Sequence, residues 1–239
     1  MKIGIHQVGY IPWLGFFDQI YRCDKYVLHI DTQFDRHSWR NRNRIRTNTG
    51  WAWLTVPVYT KRRFGQSLKD VEIDNHGNWP KKHWLAIKQN YSSSIFYSKY
   101  CYFFEDILIG KKWKFLIDLE LSIIEWCLRQ LGISTEIVIS SQLTSRATKT
   151  EGVIQICKEL GANAYLSSSA GRNYLNESRL AEENIQLEYQ EYLHPVYPQV
   201  YLGFIPYLSI VDLLFNMGDA SLGVVSKHGY ENHCPSSKY

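Results

Sequence analysis

The sequence predicts an α/β protein with a mostly parallel sheet. Short apolar runs of strand type alternate with helical patterns toward both ends of the chain, beginning with runs at 2–6 and 25–30 around a helical pattern at 13–23. After the second strand, turn residues join an arginine-rich run to an apolar run, which predicts a β-hairpin. Between 79 and 131 apolar side chains recur at helical intervals, which predicts a helical insertion. Strands that alternate with helices favour a Rossmann-like, parallel arrangement.

We predict one domain over residues 1–218, with the helical insertion at 79–131 inside it and a loosely ordered tail at 219–239. The 239 residues suffice to bury a substantial core, and 45% hydrophobic with 21% charged residues is an ordinary globular balance. No repeat and no low-complexity linker divides the chain. The last residues are polar and show little pattern, which indicates the tail.

The first strand, helix and second strand predict a βαβ unit. Pro12 stands at the start of the helical pattern, where its missing N–H costs nothing. The carboxyl ends of parallel strands meet at one edge of the sheet, and ligands bind there in this class of protein. His6 ends the first strand and Asp31 follows the second, so we expect them side by side at this edge.

The later elements are predicted from local signals. Thr148 and Glu151 form a capping-box pattern before an apolar helical segment that Gly161 ends. The predicted strands after the hairpin lie at 68–73, 136–140, 164–167 and 186–192. The predicted helices lie at 79–91, 97–108, 113–131, 152–160, 176–184 and 209–216.

Residues 36–46 form the most unusual segment, with five arginines and two asparagines in eleven positions. Arginines and amides alternate along the predicted strand, and tryptophans bracket it. Guanidinium and amide groups bind phosphates, carboxylates and sugar hydroxyls. We therefore predict that residues 41–44 bind an anionic or polyhydroxylated ligand, and that Arg36 and Arg46 at the ends are solvated. A solvated surface hairpin and a nucleic-acid patch remain alternatives.

Charge and cysteine content narrow the class of protein. The formal net charge is +4, and five cationic groups lie in one segment, which argues against a general affinity for nucleic acid or membranes. The five cysteines are widely spaced without a CxxC pair, which favours free thiols in a reducing compartment over a zinc site.

The start lacks the apolar core of a signal peptide, and no run of 18 apolar residues occurs. We expect a cytoplasmic protein without membrane contact.

Motifs spread over nearly the whole chain resemble the WbqC-like family of bacterial proteins. The motifs are residues 1–7 (MKIGIHQ), 10–18 (YIPWLGFFD), 31–34 (DTQF), 38–45 (SWRNRNRI), 53–57 (WLTVP), 149–151 (KTE), 165–167 (YLS), Gly171, Tyr174, Leu175, 194–199 (HPVYPQ) and 208–218 (LSIVDLLFNMG). The family pattern has a glycine soon after the 165–167 motif. Ser168 and Ser169 stand here instead, which departs from that pattern.

The resemblance implies a role in surface-polysaccharide (O-antigen) biosynthesis, because members are often encoded among such genes. It also implies sugar-modifying transferase chemistry, such as the transfer of glycine or another acyl group. We therefore predict a group transferase that acts on a phosphate-bearing donor or a nucleotide-sugar. A non-catalytic nucleotide- or sugar-binding module, and a tRNA-dependent acyltransferase or RNA-binding accessory protein, remain alternatives.

The catalytic hypothesis assigns acid/base catalysis to His6 and orientation of its imidazole to Asp31. Arg42, Arg44 and Lys149 are predicted to clamp an anion. The full set of predicted substrate-binding residues is Gln7, Tyr10, Trp13, Gly15, Gln33, Trp39, Asn41, Arg42, Asn43, Arg44, Lys149, Ser168, Arg172 and Tyr174. No cofactor and no metal site is expected, because nucleotide-binding fingerprints and zinc-ligand spacings are absent from the sequence.

Overall fold

Seven strands make up the β structure of the computed structural model, which describes residues 1–36 and 38–226. They are β1 (Lys2–His6), β2 (Lys25–Leu28), β3 (Arg42–Thr47), β4 (Gly50–Thr55), β5 (Glu136–Ile139), β6 (Ala164–Ser168) and β7 (Gln186–Gln190). Five of them form one sheet in the order β5-β2-β1-β6-β7, in which every neighbouring pair is parallel. β3 and β4 form a separate antiparallel hairpin. The predicted α/β architecture is therefore confirmed.

Eight α-helices cover and connect the strands in the described part of the chain. They are α1 (Leu14–Tyr21), α2 (Trp79–Tyr91), α3 (Tyr97–Glu105), α4 (Leu116–Leu131), α5 (Lys149–Leu160), α6 (Glu177–Glu182), α7 (Ile210–Met217) and α8 (Ser221–Val225). Helices α2 to α4 lie within the predicted insertion at 79–131, and a π-helical turn at Asp106–Gly110 follows α3. Among the described residues, no helix has the length and apolar character that crossing a bilayer requires.

Apolar cores lie on both faces of the sheet, because successive strand residues point to opposite faces. Tyr26 and Leu28 of β2 belong to a large core that includes apolar residues of α1, α2, α3, α4 and α7. Val27, between them, belongs to a smaller core with apolar residues of α5 and α6. Strands buried on both faces are short continuous apolar runs, which is why the sequence reveals them.

The order of the sheet reverses at β1. From β1 the chain adds β2 and β5 on one side, and β6 and β7 on the other. Open α/β sheets bind ligands in the crevice outside the carboxyl ends of the strands at such a reversal. His6 is the last residue of β1, and Ser168 is the last residue of β6. Both residues therefore stand at this crevice.

The β3–β4 hairpin lies against the loop that follows β1. The backbone N–H of Tyr10 donates to the Arg40 carbonyl at 2.8 Å, and the N–H of Ser209 donates to the Arg44 carbonyl at 2.9 Å. Along β3, Asn43 and Ile45 are buried, whereas Arg44 is partly exposed. The hairpin therefore buries one face and presents guanidinium groups on the other.

Two local predictions are wrong. Residues 68–73 do not form a strand but include a 3-10 turn at Leu68–Asp70, and the Val71 carbonyl accepts instead from the N–H of Leu116 in the helical insertion. Thr148 does not cap α5 with its side chain. For residues 68–73, backbone contacts with the distant Thr32 and Leu116 take the place of a regular strand ladder.

The first residues of the predicted tail at 219–239 form short helical elements. Gly218–Ala220 form a 3-10 turn, and α8 follows it directly. Val224 and Val225 of α8 are buried in the large core, which explains why this part of the predicted tail is ordered. The remainder of the predicted tail, residues 227–239, lies outside the described residues.

Candidate functional site

Two cavities open at the carboxyl end of the sheet and share His6, Gln7 and Arg40. The first, called here the hairpin cavity, has a volume of about 490 Å³, and its other lining residues are Gly9, Pro12, Trp13, Phe16, Trp39, Asn43, Arg44 and Tyr207. The second, called the α5 cavity, has a volume of about 560 Å³, and its other lining residues are Ile5, His29, Thr32, Ala147, Thr148, Lys149, Gly152, Val153, Ile156, Tyr165, Ser168, Ala170 and Tyr174. Each cavity is large enough for a small molecule.

His6 lies between the two cavities as a neutral imidazole. Its Nδ1 is 2.7 Å from the carbonyl oxygen of Gln7. Because a carbonyl can only accept, Nδ1 carries the proton and Nε2 carries the lone pair. Within residues 1–36 and 38–226, Nε2 has no hydrogen-bond partner. Burial, and then the positive charge of Arg40, lower the pKa of His6 to about 4. At neutral pH the imidazole can therefore accept a proton at Nε2.

Arg40 supplies the positive charge that both cavities share. Its Nη1 donates to the carbonyl of Val8 at 2.5 Å, which fixes the guanidinium beside the loop after β1. The buried carboxyl of Glu120 interacts with this charge electrostatically. Burial raises the pKa of Glu120, and the Arg40 charge opposes that rise. Arg40 is thus a fixed cation at the junction of the cavities, well placed to attract an anionic ligand.

Aromatic rings and Arg44 form the outer walls of the hairpin cavity. The ring centroids of Trp13 and Tyr207 lie 5.9 Å apart. The Arg44 guanidinium lies 5.2 Å from the ring centroid of Trp39, and its Nη2 donates to the Tyr207 carbonyl at 2.9 Å. Flat apolar walls beside a cation suit a ring-bearing ligand with an anionic or hydroxyl substituent.

The amino end of α5 and the loop after β6 form the α5 cavity. Lys149 is the first residue of the helix. Gly152 lies close under the preceding loop, because a Cβ there would stand 2.5 Å from the Ala147 carbonyl oxygen. The first N–H groups of a helix lack intrahelical partners and carry partial positive charge. Together with the cation of Lys149 and the hydroxyl of Ser168, this end of the cleft suits a phosphate or carboxylate.

Backbone strain is concentrated around the cleft. Among the described residues, five that are not glycine have a positive φ, and two of them, Lys149 (+54°) and Tyr207 (+59°), line the cavities. A third, Ile11 (+41°), precedes the lining residue Pro12. Such a conformation costs about 1–2 kcal/mol in an L-residue. Strain of this kind accumulates at functional sites, where the surrounding structure holds it in place.

The structure brings eight of the predicted substrate-binding residues to the two cavities. In the hairpin cavity they are Gln7, Trp13, Trp39, Asn43 and Arg44, and in the α5 cavity they are Gln7, Lys149, Ser168 and Tyr174. The predicted anion clamp is divided, because Arg44 and Lys149 line different cavities. Arg42 lines neither cavity, and its guanidinium lies 4.5 Å from the ring centroid of Trp53.

Asp31 does not contact His6. Its Oδ1 accepts from Lys69 Nζ at 2.7 Å, and its Oδ2 accepts from Ser140 Oγ at 2.5 Å. The predicted orienting role is therefore wrong, because donors from two distant segments bind the carboxylate. The carbonyl of Gln7 holds the imidazole of His6 instead.

Five other predicted residues, Tyr10, Gly15, Gln33, Asn41 and Arg172, line neither cavity. Their contacts are Tyr10 Oη with His83 Nδ1 (3.0 Å), the Gly15 carbonyl with Gln190 Nε2 (2.8 Å), Gln33 with Ser67 in an isolated β-bridge, Asn41 Nδ2 with the Val56 carbonyl (2.8 Å), and Arg172 Nη2 with Glu191 Oε1 (2.8 Å). A substrate-binding role for these five residues stays a prediction, and Gln33 lines a different cavity of about 450 Å³.

Arg46 is buried, so the prediction that it is solvated is wrong. Its side chain is 3% exposed, and its guanidinium donates to four backbone carbonyls at 2.7–3.1 Å. The four acceptors are Thr47, Gly50, Leu202 and Gly203. Arg46 therefore ties the hairpin to a loop far away in the sequence. Arg36, at the other end of the run, is exposed as predicted.

The cavity residues that the sequence reasoning missed include Arg40, His29 and Tyr207. His29 follows β2, the same type of signal that identified His6, so it could have been found. Arg40 stands in the arginine run, but nothing in the sequence shows its proximity to Glu120. In the described part of the chain, no group of three or more His, Cys, Asp or Glu side chains is placed to hold a metal ion.

Comparison with known proteins gives one family and one relative. A model of the WbqC-like protein family matches residues 7–223. The uncharacterized protein Rv1507c of Mycobacterium tuberculosis (strain ATCC 25618 / H37Rv) is 35% identical over 218 residues, which cover 91% of this chain and 94% of the relative. No solved structure matches the chain. The family match includes every residue that lines the two cavities except Ile5 and His6.

Proposed function

The chain belongs to the WbqC-like protein family, and we propose that it is a cytoplasmic group transferase that moves an acyl group from a phosphate-bearing donor to a sugar. The sugar acceptor is a nucleotide-sugar or a related intermediate of surface-polysaccharide biosynthesis, the setting that the family resemblance implies. The ligands are thus small molecules, at least one of them anionic.

The observation that carries the proposal is the position of His6 between two cavities of different chemistry. One cavity has aromatic walls and Arg44, and the other has Lys149 and the amino end of α5. A protein that only binds one ligand needs one such cavity. An imidazole shared by two ligand sites can instead act on a bond that forms between the two ligands.

The two cavities favour different reactants. The α5 cavity suits the donor, because a helix amino terminus and a lysine bind phosphate well. The hairpin cavity suits the acceptor, because sugar rings pack against tryptophan and tyrosine while their hydroxyls bind guanidinium and amide groups. Arg40 lies in both cavities, where it can bind an anionic group of either reactant.

In the proposed step, Nε2 of His6 removes the proton from an acceptor hydroxyl or amine as that oxygen or nitrogen bonds to the acyl carbon. The bond from the acyl carbon to the phosphate-bearing leaving group then breaks. The leaving group departs with the electron pair and takes up the proton from Nε2. Arg40 stabilises the negative charge that develops in this step. The Gln7 carbonyl accepts from Nδ1 throughout and so favours the protonated imidazole.

Ligand binding and turnover test the proposal together. We would screen acyl-CoAs, acyl phosphates and nucleotide-sugars by thermal shift, since a ligand of the native state raises its melting temperature. Pairs of binding ligands would then be assayed for transfer. His6→Asn keeps an N–H for the Gln7 carbonyl but removes Nε2, so we expect it to bind both ligands and to lose at least 100-fold in kcat. His76→Asn, at an exposed histidine, is the matched control and should change neither property.

Separate outcomes would contradict separate parts of the proposal. If wild type binds nucleotide-sugars but no donor on the panel supports turnover, the protein is a binding module. If His6→Asn transfers the acyl group as fast as wild type, His6 is not the base. If the donor is recognised only as an aminoacyl-tRNA, with an affinity that falls steeply with salt, the small-molecule donor is wrong.

A further inference from the structure

Three exposed tryptophans surround two arginines on the outward face of the β3–β4 hairpin and in the segment just before it. We call this set, Trp39, Trp51, Trp53, Arg42 and Arg44, the indole–guanidinium face. Their exposed fractions are 45% for Trp39, 44% for Trp51 and 38% for Trp53. Large exposed aromatic side chains that cluster in this way mark interaction sites on protein surfaces.

The rings and the guanidinium groups interlock. Trp53 lies 5.1 Å from Trp39 and 5.6 Å from Trp51, measured between ring centroids. Arg44 stands between Trp39 and Trp51, at 5.2 Å and 5.0 Å from their centroids. The strand register places Arg44 directly opposite Trp53. The side chains thus support one another, so the face is pre-organised for a ligand rather than assembled by one.

The face is continuous with the hairpin cavity. Trp39 and Arg44 line the cavity, whereas Trp51 and Trp53 extend the same aromatic surface beyond it. The charge of Arg44 is met by the Tyr207 carbonyl and by indole rings, and none of the described carboxylates forms an ion pair with it. The surface outside the cavity mouth is therefore both aromatic and positively charged.

We propose that the indole–guanidinium face binds an acidic oligosaccharide, which continues outward from the sugar held in the hairpin cavity. This inference rests on the proposed function and names its acceptor as a chain of sugars rather than a single one. Apolar C–H faces of sugar rings pack against the indoles, and carboxylate or phosphate substituents bind the guanidinium forks.

An acidic oligosaccharide fits the face better than single-stranded nucleic acid. Non-specific nucleic-acid grooves combine stacking rings with a track of cations along several phosphates. Here the cations on the face are two, and each lies over an indole ring, where a base would have to stack. Sugar rings need less open ring area, because they can lie across the partly covered indoles.

Isothermal titration calorimetry with defined oligosaccharides and one oligonucleotide tests the inference. The probes are tetragalacturonate, the neutral maltotetraose, and a twelve-nucleotide single strand of deoxythymidine. Trp51→Ala/Trp53→Ala removes exposed rings outside the cavity, and Tyr102→Ala, at a 73% exposed tyrosine on α3, is the matched control. We expect tetragalacturonate to bind wild type and Tyr102→Ala equally, the double variant at least tenfold more weakly, and maltotetraose at least tenfold more weakly than tetragalacturonate.

Other results would overturn the inference. One is that tetragalacturonate fails to bind the wild type, and another is that maltotetraose or the deoxythymidine strand binds it as tightly as tetragalacturonate or more tightly. A third is that the double variant, with a circular dichroism spectrum like that of wild type, binds tetragalacturonate with unchanged affinity. Trp51→Ala/Trp53→Ala separates this inference from the proposed transferase activity, because it leaves His6 and the lining of the hairpin cavity unchanged and should therefore weaken tetragalacturonate binding without abolishing turnover. Binding without turnover would contradict the transferase alone, and turnover with a face-independent acceptor KM would contradict the face alone.

Discussion

Asn43 holds the strained backbone of Ile11 in place. Its Nδ2 donates to the Ile11 carbonyl at 2.9 Å, and Ile11 has a φ of +41°. Asn43 is 2% exposed, so water does not compete with its amide as the donor to this carbonyl. Through this contact a residue of the arginine-rich hairpin sets the path of the loop that carries Pro12 and Trp13 into the hairpin cavity.

Asn43→Ala should destabilise the protein and loosen the cavity together. The change leaves the buried Ile11 carbonyl without its donor, so we expect a loss of about 1–3 kcal/mol in the free energy of unfolding. Urea denaturation measures that loss. Asn90→Ala is the matched control, since Asn90 also donates to a backbone carbonyl, at 2.8 Å, but is half-buried on α2. An equal loss at both positions would show that Asn43 has no special role.

The sequence predicts the sheet well because its strands are buried on both faces. The first strands appear as short apolar runs, and the polar residues with which strands end, such as His6 and Ser168, mark the edge where the cavities open. The hairpin is also predictable, because an alternating run, a turn and an apolar run stand side by side in the chain. These features depend only on residues that are close together in the sequence.

The partners of polar side chains are not local, and there the sequence reasoning was wrong. Asp31 binds Lys69 and Ser140 rather than His6, and these donors lie 38 and 109 positions away in the chain. Arg46 binds Leu202, 156 positions away, and is therefore buried rather than solvated. A charged side chain can be satisfied by many neighbours, and only the tertiary fold decides which of them it meets.

Arg46→Met should strongly destabilise the protein. The methionine matches much of the buried volume but donates to none of the four carbonyls that the guanidinium binds, so we expect a loss of about 3 kcal/mol. Guanidinium chloride or urea unfolding measures it. Arg129→Met is the control, because Arg129 forms an exposed i,i+4 pair with Glu125 and should cost about 0.3–0.5 kcal/mol. A loss below 1 kcal/mol at Arg46 would contradict the bridging role.

The stability of the protein should fall in acid partly through His6. Its pKa in the folded state is about 4, below the ordinary value of 6.5. As the pH falls, the unfolded state therefore binds the proton first, so the stabilisation is complete above pH 6.5 and is lost progressively toward pH 4. At about 1.4 kcal/mol per pKa unit, the contribution of this one group is up to about 3 kcal/mol.

Unfolding free energies at pH 7 and pH 4.5 give the measurement for His6. The difference between them should be smaller in His6→Asn than in wild type, because the variant lacks the group that titrates. His83, whose pKa burial also lowers to about 4, remains in the variant, so part of the acid sensitivity should persist. A His6→Asn profile parallel to that of wild type would contradict the lowered pKa.

Arg40→Met should raise the pKa of His6. The positive charge of Arg40 is the second cause of the lowered value, after burial, and its removal favours the imidazolium. Titration of the imidazole C–H signals by NMR should show His6 moving from about 4 toward 6.5, while His83 stays in place. If the two histidines shift equally, the variant has loosened the fold and the Arg40 charge is not the cause.

Lys149→Gly should increase stability while it weakens anion binding. Lys149 adopts a φ of +54°, a conformation that costs a side-chain-bearing residue about 1–2 kcal/mol and glycine nothing. Part of this gain is offset by the larger backbone entropy of glycine in the unfolded chain, which leaves a net stabilisation of up to about 1 kcal/mol.

Arg62→Gly is the matched control, because Arg62 has a φ of +60° and lines neither cavity. Both variants should be more stable in urea, but Lys149→Gly alone should bind inorganic pyrophosphate at least tenfold more weakly by isothermal titration. Equal pyrophosphate affinity in the two variants would contradict a role of the strained Lys149 in anion binding.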